Sequence, residues 1–483
     1  MLKTQRVQFD SPGVRLALQG LGLALLAFLL FPALSQSTGL LLCLGVTLAG
    51  FGLAMLIERP HWGVMAILLI AFISVDTVDV PFLGLPYVLS ALLLIPLSLT
   101  ILRERDIWVW RVPQIQILLT LGILFLISTA WSYVKYPVTL FPELDETPRM
   151  LTLFFSRLGF LVFLLYFIKT NQRIESLVKL IVGMTVVVAI EALYSSVMGG
   201  KTQRAHASFS AAENSNRLAY LCLFATSLVW FYRSYGLQRQ WKSWTVLLLF
   251  PLLSAALAAG SRSGLLQLTL LIAFILKEQK EWPLMKRARA FFLLGIVGVV
   301  AIIAVPAHIR ERLITYDTAQ GAQGYDSLRN RLNTDFVALE IALENSFLGV
   351  GIGNFRWVRR TYSDIGRASK SHNSYLWAWT SAGIGALALY LLLFYVTYRD
   401  LRQLERAGPP ELVWLSKSLK VNLLMFLIFT AFADFWLSNF LYIIVGLPAC
   451  MMNLWQHQRS QLSRSYQRPQ LSRPLPLSQR ASA

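Results

Sequence analysis

Apolar stretches of roughly 20 residues recur along most of this chain, and about 20 apolar residues is what one helix needs to cross a 30 Å hydrocarbon core. Backbone in lipid has to satisfy its own hydrogen bonds, so such runs fold as helices. The expected fold is an all-α polytopic membrane protein with about fourteen transmembrane helices. The spans are placed near 16–34, 39–57, 62–78, 85–102, 112–132, 150–168, 175–198, 217–232, 243–260, 262–276, 289–306, 373–398, 418–433 and 435–454. Composition agrees: 56% of the residues are hydrophobic and only 14% charged, a balance that the surface of a water-soluble domain would not tolerate. The first apolar run is followed at once by a second, so it is read as a retained span and not as a cleaved leader.

The net charge of +19 would suggest a nucleic-acid partner in a soluble protein, but in a membrane protein Lys and Arg report topology first. No nucleic acid is expected. With residues 1–15 cytoplasmic, most Lys and Arg fall in inside segments, while the short outside loops hold only Lys135, Arg149, Lys201, Arg204, Arg217 and Arg262. Both tails are therefore inside, which requires an even number of spans. Cys43, Cys222 and Cys450 all lie in expected spans and read as buried thiols.

After the spans of 16–306 comes one long extracytoplasmic loop, 307–371, the only loop large enough to carry its own short helices. Within it, Leu332, Phe336, Leu339 and Leu343 have helical spacing and would lay one face against the membrane or a cleft. Gly349, Gly351 and Gly353 then end that helix. Asp317, Asp326, Asp335, Glu340 and Glu344 are dispersed and read as a solvated face. The last spans occupy 372–454, and the Ser-, Gln-, Arg- and Pro-rich stretch 455–483 reads as a disordered cytoplasmic tail.

Three candidates share the outer surface: Arg204 in its loop, Arg262 at the start of a span, and His372 at the start of another. Two guanidiniums facing one cavity suit a diphosphate, since each presents a planar fork of donors and stays charged. Contact with lipid headgroups is the plain alternative. Ser371 or Asn373 can cap the helix that begins beside His372, and the partial positive charge of that helix start disfavours imidazolium. A neutral imidazole can accept a proton as a general base. Arg157 and Glu191 lie at equal depth in spans that are neighbours in sequence, and they are expected to pair, since a lone ion at the bilayer centre costs about 2.5–3.5 kcal/mol.

Residues 345–355, NSFLGVGIGNF, precede SHNSYL at 371–376 and a span containing SAGIGALALYLLLF. Upstream stand RAHASFSAAENSNRLAY at 204–220 and AAGSRSGLL at 258–266. Together these motifs resemble the O-antigen ligase and polymerase superfamily over roughly residues 200–400, with departures at Ala207, Ser215 and Asn345–Ser346. The resemblance implies a bacterial inner-membrane glycosyltransferase whose active site faces the periplasm. It also implies an inverting transfer of a glycan from undecaprenyl diphosphate to an acceptor hydroxyl, either on lipid A-core or on a growing glycan. His372 would be the base, and Arg204 and Arg262 would bind the diphosphate. Asn216, Asn373, Gly351 and Gly353 are candidate supporting residues, as are Arg157 and Glu191, for which a structural pair is the favoured reading. No cofactor is expected, and no Asp-x-Asp pair or acidic cluster in the outer loops around these residues suggests a metal.

Ligase is preferred to exopolysaccharide or O-antigen polymerase, and a protein O-oligosaccharyltransferase is a third reading. A small-anion transporter would also show many spans, but transporters are commonly built from repeated halves with broken helices at the midplane. No clear internal repeat is visible in this chain.

Overall fold

A computed structural model describes residues 52–73, 85–104, 108–135, 146–198, 214–235, 245–278, 323–362, 371–433, 435 and 437–467, with isolated positions between 283 and 299. The expected span at 16–34, most of those at 39–57 and 289–306, and the loop carrying Arg204 lie outside these residues. Among the described residues every regular element is helical: α1 Pro60–Ile73, α2 Leu85–Glu104, α3 Pro113–Lys135, α4 Thr147–Phe167, α5 Asn171–Met198, α6 Ser215–Tyr235 and α7 Thr245–Ala258. These are followed by α8 Arg262–Glu278, α9 Gln323–Glu344, α10 Phe355–Tyr362, α11 Ser374–Ala407, α12 Pro410–Thr430 and α13 Asn439–Gln467. Five of them are long and apolar enough to cross a membrane: α3, α4, α5, α11 and α12. A short helix, Gly52–Glu58, meets Pro60–Ile70 of α1 at 116°, and the two pass the same test of length and composition only when counted together as one broken span. This is a polytopic helical membrane fold.

Polar contacts fix how the helices alternate. Gln114, near the start of α3, donates to Asp400 near the end of α11 at 2.8 Å, while Ser128 near the end of α3 donates to the carbonyl of Ser381 at 2.6 Å. The two helices are therefore antiparallel. At one end of the bundle Lys417 and Lys420 of α12 pair with Glu278 of α8 and Glu405 of α11, and Tyr235 of α6 donates to the Glu278 carbonyl. Lys169 and Glu104 pair at 2.6 Å. All of these residues fall on the side that the charge pattern assigns to the cytoplasm. The network also explains why α12 starts at Pro410 and not at 418: two carboxylates neutralise its lysines, so the helix runs straight through them. The tail expectation is corrected as well, because α13 continues to Gln467. A helix already nucleated extends at little cost through Ser, Gln and Arg, and Arg459 packs over the Trp455 ring at 5.9 Å.

The glycine run explains the shape of α11. Gly349 has φ +66° and Gly383 has φ +77°, and a Cβ on either would come within 2.4 Å of the Thr380 carbonyl oxygen or 2.0 Å of the Phe347 carbonyl oxygen respectively. Only glycine lets these two stretches of backbone touch. The helical path fails at Ala382 and Gly383, and the loop takes over the freed groups. Val350 N–H donates to Thr380 O at 2.8 Å, Gly351 N–H to Ser381 O at 3.1 Å, and Ile384 N–H to Ser346 O at 2.7 Å. The side chains of Ser128, Ser132 and Thr147 donate to the carbonyls of Ser381, Val350 and Ile352 respectively.

The break folds α11 back on itself. The rings of Tyr375 and Tyr390 lie 5.9 Å apart. Fifteen positions along a straight helix would separate their Cα atoms by about 22 Å. The outer arm, 374–382, thus lies over the inner arm and across the end of α12, where Tyr375 donates to the Leu427 carbonyl at 2.6 Å.

Candidate functional site

The start of the outer arm is held from three sides. Asn373 caps α11, its Oδ1 accepting from the N–H groups of Tyr375 at 2.9 Å and Leu376 at 3.2 Å. Ser374 Oγ donates to the Ala433 carbonyl at 2.7 Å and accepts from Phe435 N–H at 2.9 Å. Ser371 Oγ donates to Asp335 Oδ1 of α9 at 3.0 Å, and the same carboxylate accepts the backbone N–H of His372. His372 is thereby fixed between the capped helix start and α9.

Burial lowers the His372 pKa below the ordinary histidine value, and the nearby Arg331 cation lowers it further. The imidazole is neutral at neutral pH and available as a proton acceptor. Asp335 moves the other way: burial raises its pKa, and the bonds from Ser371 and His372 together with Arg331 offset part of that rise. Reading Asp335 as part of a solvated face is therefore corrected. Arg331 and Asp335 are one turn apart on α9, a spacing that puts both on the side facing His372. Sequence reasoning missed them because the contact that gives them meaning spans the loop between α10 and α11.

Arg262 is exposed as the first residue of α8. A chain of contacts joins it to the outer arm. Ser261, preceding it, donates to Asn216 Oδ1 at 2.6 Å. Arg217, next to Asn216, places its guanidinium 5.0 Å from the centre of the Phe435 ring, and Phe435 bonds to Ser374. His372, Asn373, Asn216 and Arg262 thus share one end of the bundle, with Arg217, Arg331 and Asp335 added by the structure. Arg204 lies outside the described residues.

Gly351 and Gly353 belong to the loop that supports the α11 break. Gly351 bonds to Ser381 and Ser128, and Gly353 lies against the Glu146–Thr147 backbone. Arg157 lies on α4 near Tyr442, and Glu191 on α5 accepts from Ser195 at 3.1 Å. Adjacency in sequence is not the packing rule here, since α4 packs chiefly on α13 while α5 packs on α6 and α7.

Fold and site together define a helical membrane protein with a neutral histidine and several guanidiniums gathered at one end. Residues 246–391 match the family described as O-Antigen ligase. The matched stretch contains Arg262, Asp335, the glycine loop and His372, and it supports the superfamily resemblance carried by the sequence motifs. No curated protein matches the chain.

Proposed function

We propose that this protein is an inverting, metal-independent glycosyltransferase of the bacterial inner membrane. It moves a glycan from undecaprenyl diphosphate to an acceptor hydroxyl at the periplasmic face, and it acts as an O-antigen ligase on lipid A-core. About fourteen spans, with both tails cytoplasmic, would carry this site. The reading rests above all on His372, a neutral imidazole whose backbone is held in place inside the matched stretch.

In this mechanism the acceptor hydroxyl gives its proton to His372 as its oxygen attacks the anomeric carbon. Attack comes from the face opposite the diphosphate, the bond from that carbon to the phosphate oxygen breaks, and undecaprenyl diphosphate leaves with its electron pair. The configuration inverts. Arg262, joined by Arg204, offsets the charge of the leaving diphosphate. Such stabilisation is strongest when the donors are held in place before reaction.

The test supplies purified protein, in excess chelator, with a donor carrying one repeat unit, with and without lipid A-core. Product only with lipid A-core supports the ligase. A ladder without it identifies a polymerase, and activity that magnesium alone restores overturns the metal-independent reading.

A further inference from the structure

Helix α9 carries three faces. Thr334, Ala338, Ile341 and Ala342 are buried, and Ala338 and Ile341 pack on Val350, Phe355, Trp357 and Val358. Asp335 points to His372. A third face, centred opposite the buried one, exposes Leu332, Phe336, Leu339 and Leu343, and Phe347 beyond the helix end is 88% exposed. Of the two surroundings expected for this stripe, membrane or cleft, no described protein surface covers it, and the small residues opposite it do the packing. A contiguous strip of large apolar side chains in water would be an unusual surface for a folded protein.

The strip does not end at Phe347. Ser346 accepts the Ile384 N–H at 2.7 Å, which sets Phe347 beside Ile384, and Ile384 begins the exposed row Ile384, Leu391, Leu392 and Tyr395 on the inner arm of α11. Lys135 at the end of α3 donates to Asn345 at 2.7 Å, bringing in the exposed Trp131 and Val134. Helices α3 and α11 both qualify as membrane spans by length and composition, so a bilayer around them would lay acyl chains against those rows. The α9 strip is their continuation.

Its height follows from the fold-back. Asp335 contacts Ser371 and Ser346 contacts Ile384, so α9 runs beside the outer arm of α11. That arm lies over the bundle with Tyr375 against Tyr390 and Leu427, both within spans, and does not project away from it. A helix fixed alongside stays near the bilayer boundary.

We propose that α9 is an interfacial helix, seated in the leaflet at the His372 end with Leu332, Phe336, Leu339 and Leu343 among the lipid acyl chains. Helices of this kind bury one apolar face about 5–10 Å into the boundary between headgroups and chains. The inference uses the membrane-spanning fold and the exposed strip, and it stands whether or not the protein transfers glycans.

The test uses the full-length protein in phosphatidylcholine–phosphatidylglycerol nanodiscs, with Cys43, Cys222 and Cys450 replaced by serine. Single cysteines at Leu332, Phe336, Leu339, Leu343 or Asn330 carry an environment-sensitive fluorophore. Asn330 lies on a different, exposed face of α9. Spin-labelled lipids quenching near the headgroup end of the chain should remove most of the emission at the four strip positions and little at Asn330, with aqueous iodide doing the reverse. Iodide quenching at the strip positions as strong as at Asn330 would place the strip in water and overturn the proposal. Protection from both quenchers would overturn it too, by showing that protein covers the strip. Four positions report on one face, so a variant that does not fold is replaced by its neighbour.

Discussion

Asp335 accepts a hydrogen bond from Ser371 Oγ at 3.0 Å and a second from the backbone N–H of His372, so one carboxylate on α9 sets the position of the candidate base on α11. Removing it should leave both donors unsatisfied and let the imidazole drift. Asp335→Ala is expected to lower turnover roughly tenfold to a hundredfold, in keeping with what small misplacements cost, while donor affinity changes little. Asp335→Asn keeps an acceptor for Ser371 and should recover much of the loss. Equal turnover in wild type and Asp335→Ala would show that the carboxylate does not position the base.

His372→Ala should cut turnover by roughly a hundredfold or more with donor binding near the wild-type value, because a general base acts only as the new bond forms. His372→Gln should do no better. Arg262→Ala, in contrast, should weaken donor binding as well, since the diphosphate is charged before reaction. Binding and initial rate measured on the same preparations separate the roles. If His372→Ala binds donor weakly but turns over bound donor normally, the base lies elsewhere.

The pH dependence has a definite sign. Burial and Arg331 both lower the His372 pKa, so the neutral form persists to more acidic pH than for a free histidine, and the rate should fall only below that lowered value. Arg331→Gln removes a repelling cation and should raise the His372 pKa. The acidic limb of the pH–rate profile should then move to higher pH. A profile unchanged by Arg331→Gln would mean that this histidine does not govern the limb.

Gly349→Ala and Gly383→Ala each force a Cβ into left-handed backbone against a carbonyl oxygen, so each should cost about 1–3 kcal/mol for the strained backbone alone, before any clash. Thermal unfolding in detergent should show a lower midpoint for both. Gly159→Ala in α4 meets nothing within 4 Å and should be neutral or slightly stabilising.

A reporter inserted between residues 322 and 327 should be extracytoplasmic, and one fused after Gln467 should be cytoplasmic. A cytoplasmic signal from the first would invert the orientation on which the proposed site depends.

What the sequence made legible follows from where the physics is local. Span positions were readable because hydropathy alone decides what lipid accepts, and α3, α4, α5 and α8 begin or end within a few residues of their expected limits. Asn373 as the cap of α11 was readable as one of two nearby candidates. The break in α11 was not, because SAGIGALAL reads as continuous helix until the loop at 346–351 supplies partners for its carbonyls. The α9 stripe was seen, but its direction could not be, since small residues opposite it find a protein surface and large ones do not. Asp335 looked like one of several scattered acids because its partner, Ser371, is 36 positions away.

The fold-back at Gly383 also has a consequence for substrate choice. By bringing Tyr375 against Tyr390 it holds the start of α11 against the bundle, so His372 does not stand on a stalk projecting from it. A sugar tethered by a diphosphate to a long isoprenoid hardly has to rise from the bilayer to meet a base at that level. A soluble sugar nucleotide has no anchor to hold it there. If the protein transfers glycans as proposed, depth itself would act as a selectivity filter, favouring lipid-bound donors without any contact to the lipid tail.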